Sequence, residues 1–256
     1  MAADTDSGDN PDMSSRSRSQ RPATAKPPDP AHILVIDVGG SHIKFRMGPR
    51  GRIERFESGP DMTAADMARG VRKLAADLPY EAVSIGYPGL VLCGRIAAEP
   101  CNLGPGWVGY DFERTLRRPV RVINDATMQA LGSYEGGRML FLGLGTGLGA
   151  TLILDGAVEP MEIGHMHYKH GRTFEDYVGE RGRERLGNRK WRKAVADVVT
   201  RLSEVLEADY VVLGGGNAQR LKKLPKGARL GDNLNAFKGG RHLWRGDGSL
   251  TAGRGR

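Results

Sequence analysis

The sequence predicts an α/β protein built as two lobes that face each other across a cleft. Three observations point there. A β-hairpin with glycines at its turn opens each half of the chain, over 33–47 and again over 139–156. Each hairpin is followed by helical spacing and then by a buried strand. The last strand of each half stops in a short polar or glycine-rich signal, Asn124-Asp125 in the first and Gly214-Gly215-Gly216-Asn217 in the second.

The elements follow in order. Ile33-Leu34-Val35-Ile36-Asp37-Val38 is an apolar strand that stops at Gly39-Gly40, and Ser41 to Met47 alternates as a returning strand does. Residues 63–78 carry Ala64, Met67, Ala68, Val71, Leu74, Ala75 and Leu78 at helical spacing. Ala82 to Gly86 reads as a buried strand running into the turn Tyr87-Pro88-Gly89. Val120 to Ile123 is another strand, and a helix starts behind Asn124-Asp125. In the second half a helix lies within 190–206, and Tyr210 to Leu213 is a strand. The expected division is a disordered polar tail over 1–30, a first lobe over 31–124, a second over 125–244 and a loose tail over 245–256.

Composition narrows the function classes. No run approaches the roughly 20 apolar residues of a membrane span, and residues 1–30 lack the apolar core of a signal peptide. Cys93 and Cys101 form no C-x-x-C, which fits a reducing cytoplasm. The net charge of +8 is concentrated. Seven basic side chains against two acidic ones fall between Gly179 and Lys193, and five against none between Arg220 and Arg229. Such a field suits a polyanion, or else keeps two solvated faces soluble.

Gly145, Gly147 and Ala150 satisfy G-x-G-x-x-A, the dinucleotide fingerprint. That fingerprint needs a helix after its turn, whereas Thr151-Leu152-Ile153-Leu154 followed by Asp155-Gly156 is a strand and a second turn. The segment is therefore a hairpin, either plain or one whose glycines let main-chain N–H groups approach a phosphate.

Five motifs in order decide between these: Asp37-Val-Gly39-Gly40-Ser41-His-Ile-Lys44, Asn124-Asp125-Ala126, Leu142-Gly143-Leu-Gly145-Thr146-Gly147-Leu-Gly149, Glu162-Ile-Gly164-His165 and Leu213-Gly214-Gly215-Gly216-Asn217. Together they resemble the ROK sugar kinases, over roughly 31–244. The stretches 171–179 and 221–237 resemble the polyphosphate glucokinase branch more narrowly. The resemblance implies two actin-like (ribonuclease H-like) lobes, Mg²⁺, a homodimer, and phosphoryl transfer from inorganic polyphosphate or ATP to the 6-hydroxyl of glucose.

Carried over residue by residue, the resemblance makes Asp125 the general base, with N-capping by Asn124 or Asp125 as the plain alternative. Asp37 would orient Mg²⁺ through water. Gly39, Gly40, Ser41, Lys44, Gly145, Thr146, Gly147, Gly214, Gly215, Gly216 and Asn217 would hold the donor phosphates. Gly89, Asn102, Asn124, Asp125, Glu162, His165 and Glu175 would contact the sugar. Many ROK proteins place a zinc-binding cysteine cluster after this histidine; here Tyr168-Lys-His-Gly-Arg-Thr stands in its place, so no zinc is expected. Arg181, Arg185, Lys190, Lys193, Lys222 and Lys223 form the expected polyphosphate track. Rival readings are an ATP-only kinase for glucose, mannose or an N-acetylated hexose, a sugar-sensing repressor and a nucleic-acid module. Residues 1–30 are too short and polar for a helix-turn-helix, and the basic faces lack aromatic interleaving beyond Trp191, so no nucleic-acid partner is expected.

Overall fold

In a computed structural model, residues 26–232, 234–245 and 251–252 are described. The first twenty-five residues of the tail expected over 1–30 lie outside them. Within the described part of that tail, the Asp29 carboxylate accepts from Ala31 N and caps a 3-10 turn at Pro30–His32.

The first sheet contains β1 (Ile33–Val38), β2 (His42–Met47) and β3 (Glu54–Glu57), an antiparallel meander. Helix α1 (Ala64–Leu74) follows, capped by the Thr63 hydroxyl on Asp66 N. It leads to β4 (Ala82–Tyr87), parallel to β1. A ribbon of β5 (Val91–Leu92) and β6 (Arg95–Ile96) and the short α2 (Phe112–Leu116) precede β7 (Val120–Asn124), parallel to β4. The chain then enters α3 (Asp125–Ser133).

The second sheet repeats this plan. Strands β8 (Arg138–Leu144), β9 (Leu148–Leu154) and β10 (Ala157–Met161) form its meander. A ribbon of β11 (His167–Lys169) and β12 (Arg172–Thr173) leads to α4 (Phe174–Val178) and the long α5 (Glu180–Val205), which bends at Gly187. Helix α5 thus begins ten residues before the 190–206 window, so the basic run from 181 onward is helical on both sides of that bend. Strand β13 (Tyr210–Gly214) lies parallel to β8, and β14 (Ala228–Leu230) parallel to β13. Helix α6 (Asn235–His242) returns to the first sheet. Thr251–Ala252, within the segment expected as a loose tail, form β15 parallel to Ala157–Val158. Residues 246–250 and 253–256 lie outside the described ones. The two strand orders, β3-β2-β1-β4-β7 and β10-β9-β8-β13-β14, are the same path drawn twice.

Strand periodicity assigns the layers. Leu34, Ile36 and Val38 of β1 point to a core shared with α1 and α2, whereas Ile33 and Val35 point inward. In β8, Leu140, Leu142 and Leu144 face α5, and Met139 and Phe141 face inward. The inward faces enclose α3 and α6 as a central layer. Continuing each period by one step carries Asp37 and Gly143 to the same inner side, above the central layer. The mouth of the cleft is therefore set by strand register.

The two central helices touch backbone to backbone. A Cβ at Gly132 would overlap the Asn235 carbonyl, and one at Gly239 the Met128 carbonyl. Alanine adds about 1 kcal/mol of helix propensity over glycine, but overpacking of this kind costs about 1–3 kcal/mol and here meets unyielding main chain. Gly239→Ala is expected to lower the urea midpoint clearly, whereas Lys238→Ala, on the exposed side of α6, leaves it within about 0.5 kcal/mol of wild type.

Candidate active site

The site begins at the N-terminus of α3. Asn124 is its N-cap, with Oδ1 accepting from Thr127 N at 3.1 Å, so the capping alternative holds for Asn124. Its Nδ2 donates to Gly89 O at 3.1 Å, which leaves one amide hydrogen uncommitted and ties the Tyr87-Pro88-Gly89 turn to the helix start. Asp125 is the first helical residue, and its Oδ1 accepts from Ala126 N at 2.8 Å. The Thr127 hydroxyl meets the Thr151 hydroxyl at 2.9 Å, both fully buried, fastening α3 to β9. Nothing in the sequence pattern marked this pair beyond a threonine inside an apolar strand.

Asp37 stands opposite Asp125. Burial pushes the Asp37 carboxyl up, offset in part by Lys44, its cross-strand partner in β2. Burial also raises Asp125, the negative charge of Asp37 raises it further, and the Ala126 N–H pulls the other way, leaving it at about 7. Two carboxylates in one recess, with one cation nearby, are short of positive charge.

Two glycine turns flank this pair. In the first, Gly39 N donates to His42 O, and the Ser58 hydroxyl to Gly39 O, while the Gly40 and Ser41 N–H groups make no hydrogen bond among the described residues. Asn102 lies over this turn, its Cβ 3.5 Å from where a Gly40 Cβ would be. The carboxylate of Glu99 braces the Asn102 loop by accepting from Trp107 N and Val108 N at 3.1 Å each. In the second turn Gly145 N donates to Gly147 O, and the Thr146 and Gly147 N–H groups likewise have no partner among the described residues. The strand that follows this turn, β9, is what rules out the dinucleotide fingerprint.

The 214–217 segment is stitched to the second turn. Gly215 has φ +80 and a Cβ there would overlap the Leu144 carbonyl, so only glycine fits. Asn217 N donates to Leu144 O, its Nδ2 to Gly145 O at 3.2 Å, and its Oδ1 accepts from Arg220 Nε at 3.1 Å. Glu180 joins the same knot. Its carboxyl is held down at about 2, chiefly by Arg183, with Asn217 and Arg220 contributing. The Asn217 side chain is thus spent on the protein itself, and Gly216 faces open space.

The remaining expected sugar contacts gather on the second-lobe side. Glu162 and His165 flank a 3-10 turn, exposed, with 3.9 Å between Oε2 and Nε2. Glu175 Oε2 accepts from Leu148 N at 3.2 Å, beside Gly147 and Gly164. His167 and His170 are exposed nearby, and among the described residues no three His, Cys, Asp or Glu side chains assemble as a metal cluster.

The basic segments converge, since Arg192 Nε donates to Arg220 O at 2.9 Å. Arg181, Lys190, Lys193, Lys222 and Lys223 are exposed. Arg185 is partly engaged, donating to Asp176 O at 2.7 Å and lying 5.0 Å over the Tyr177 ring. Arg229, at the end of the second basic segment, turns away to Ser133 O and Glu135.

The two-lobed fold is one that solved ROK family structures share. No protein-family model matches the sequence. The chain is similar to the polyphosphate glucokinase of Mycobacterium tuberculosis, with 25% identity over 215 residues, 75% of this chain and 80% of that protein. It is also similar to the kanosamine kinase of Amycolatopsis mediterranei, with 32% identity over 54% of this chain and 53% of that one. Among solved structures, the inorganic polyphosphate/ATP-glucomannokinase of Arthrobacter sp. strain KM superimposes with a TM-score of 0.70 at 23% identity, covering 82% of this chain and 97% of that one. A ROK family glucokinase from Streptomyces griseus, solved with glucose and AMPPNP, gives 0.65 at 17% identity, with 83% and 98% covered.

The raised Asp125 carboxyl has a consequence for stability. A group with its folded pKa above the ordinary value of 3.8 contributes stability that is fully present below that value and lost as pH climbs to about 7. Asp125→Asn escapes this loss and still accepts from Ala126 N. Its melting temperature is expected to exceed that of wild type at pH 8 by clearly more than at pH 4; an equal difference at both would contradict the assignment.

Proposed function

We propose that the protein transfers the terminal phosphoryl group of inorganic polyphosphate, with ATP as a second donor, to the 6-hydroxyl of glucose. The observation that carries the reading is Asp125: a carboxyl with a pKa of about 7 at a helix start, placed between two glycine turns that present uncommitted N–H groups.

In this reading the 6-hydroxyl donates its proton to Asp125 as its oxygen bonds the terminal phosphorus. The bond to the next phosphate breaks, and the shortened chain leaves with the electron pair. Gly40, Ser41, Thr146 and Gly147 N–H groups take up phosphate oxygens, and Lys44 offsets their charge. Asn102, the spare amide hydrogen of Asn124, Glu162, His165 and Glu175 meet the remaining hydroxyls, and Gly89, where a Cβ would press on the Tyr87 ring, keeps the backbone of its turn close.

The residues present fit a magnesium ion, because Asp37 is a buried carboxylate whose charge Lys44 offsets only in part. Asp37 would hold it through water, and when bound it supplies positive charge beside the donor phosphates. The basic residues 181, 190, 193, 222 and 223 extend from the second turn along α5 and support a long anionic donor. Asn217, bound to Gly145 and Arg220, leaves its side chain little capacity for an adenosine group.

The exposed, unpaired Cys93 and Cys101 fit a reducing cytoplasm, and no described helix is long and apolar enough to cross a membrane. A homodimer is proposed on the resemblance alone.

Glucose phosphorylation with Mg²⁺, run in parallel with ATP and with nucleotide-free long-chain polyphosphate, tests the donor. A higher kcat/KM with polyphosphate is expected, and Lys190→Glu/Lys193→Glu should weaken that donor selectively; turnover with ATP alone assigns the ATP hexokinase reading instead. Asp125→Asn should lose about 100-fold or more in kcat while keeping its affinity for glucose. Glu162→Ala should raise the sugar KM several-fold. For wild type, kcat/KM is expected to fall tenfold per pH unit below about 7, where Asp125 protonates.

A further inference from the structure

Glu175 is built into the structure in a way that contact with sugar does not require. Its helix, α4, is fixed by a reciprocal capping box in which Thr173 Oγ1 accepts from Asp176 N and Asp176 Oδ2 accepts from Thr173 N. Phe174 N donates to Met166 O, joining α4 to the turn that carries Glu162 and His165. On the other side, residues 175–180 grip the second glycine turn at both edges. Glu175 Oε2 accepts from Leu148 N, and Glu180 N donates to Gly145 O and Thr146 O at 3.0 and 3.1 Å. The carboxylate lies against Gly147, where a Cβ would overlap Oε2, and a Gly164 Cβ would come within 3.6 Å of the same oxygen. Glu175 Oε1 makes no hydrogen bond among the described residues.

We propose that Glu175 is a coupling residue, through which an occupied sugar site strengthens binding of the donor at the 145–147 turn. The proposal rests on the function proposed above. Its physical basis is the placing of one negative charge against Gly147, whose N–H takes a phosphate oxygen in that reading. With the sugar site empty, that charge opposes the donor while its bond to Leu148 N keeps the turn in shape. A sugar hydroxyl donating to Oε1 disperses the charge without breaking the bond at Oε2, and the donor then binds more tightly. An enzyme wired in this way holds its donor weakly until an acceptor is present, which limits hydrolysis.

The test is donor affinity measured calorimetrically with long-chain polyphosphate and Mg²⁺, and in parallel with AMPPNP, each with and without 6-deoxyglucose. This sugar has no hydroxyl to phosphorylate, so no turnover intrudes. For wild type, 6-deoxyglucose is expected to tighten the donor by about fivefold or more. Glu175→Gln keeps an acceptor for Leu148 N but removes the charge. Sugar-free donor binding should become tighter than wild type, and the sugar-induced gain should shrink below about twofold. Glu175→Ala removes the acceptor as well and should weaken the donor with or without sugar. If Glu175 were a sugar ligand alone, both variants would raise the sugar KM and leave sugar-free donor affinity at the wild-type value. If it were only a brace, Glu175→Gln would behave as wild type. Either result overturns the proposal while leaving the kinase reading intact, whereas a wild-type protein that binds neither donor and phosphorylates no hexose overturns both.

Discussion

The site depends on one constraint: two carboxylates, Asp37 and Asp125, share a recess that supplies too little positive charge to keep both comfortably ionised. Asp37 is brought there by the register of β1, whose inner stripe of Ile33 and Val35 ends in it. Asp125 is brought there by the seating of α3 between the two sheets, fixed by the Asn124 cap, by the buried Thr127–Thr151 hydroxyl pair and by main-chain contact with α6. In the proposed reaction, the same electrostatic tension that makes Asp125 costly to ionise suits it to accept a proton near neutral pH. In the same reading, the charge that Lys44 leaves uncompensated at Asp37 favours a cation there.

Around that pair the duplicated sheet plan does the rest. Each meander contributes one glycine turn; the Gly39 and Ser41 carbonyls of the first and the Gly145, Thr146 and Gly147 carbonyls of the second accept from protein donors, while two N–H groups of each turn have no partner among the described residues. The second turn is the more heavily braced. Glu180, Arg183, Asn217 and Arg220 tie it to the 214–217 segment, and Arg192 ties that segment to α5. Through these bonds Arg183, Arg192 and Arg220, from two distant stretches of sequence, come together beside one turn.

Much of this was legible in the sequence. Alternating or continuous apolar runs gave the strands of both hairpins, β4, β7 and β13, and the strand after the Gly145 turn separated this fold from a dinucleotide domain. The position of Asp125 behind a strand and before a helix was also readable. What escaped was set by tertiary contact. The 180–189 stretch is too basic to show an apolar face, so the full length of α5 could not be read from periodicity. Glu175 reads as a sugar ligand by motif, yet its bond to Leu148 N depends on a fold-back that no local pattern encodes. Arg229 counts toward a basic cluster by position, but its pairing with Glu135 removes it from that surface. Charge counts along a chain say how much field there is, and only packing says where it points.

The most direct measurement is a carboxyl titration of Asp125 by ¹³C NMR in the wild-type protein and in Asp37→Asn. A wild-type midpoint of about 7 is expected, and a lower midpoint once the neighbouring charge is gone. A wild-type midpoint near the ordinary aspartate value of 3.8, unmoved by Asp37→Asn, would contradict it.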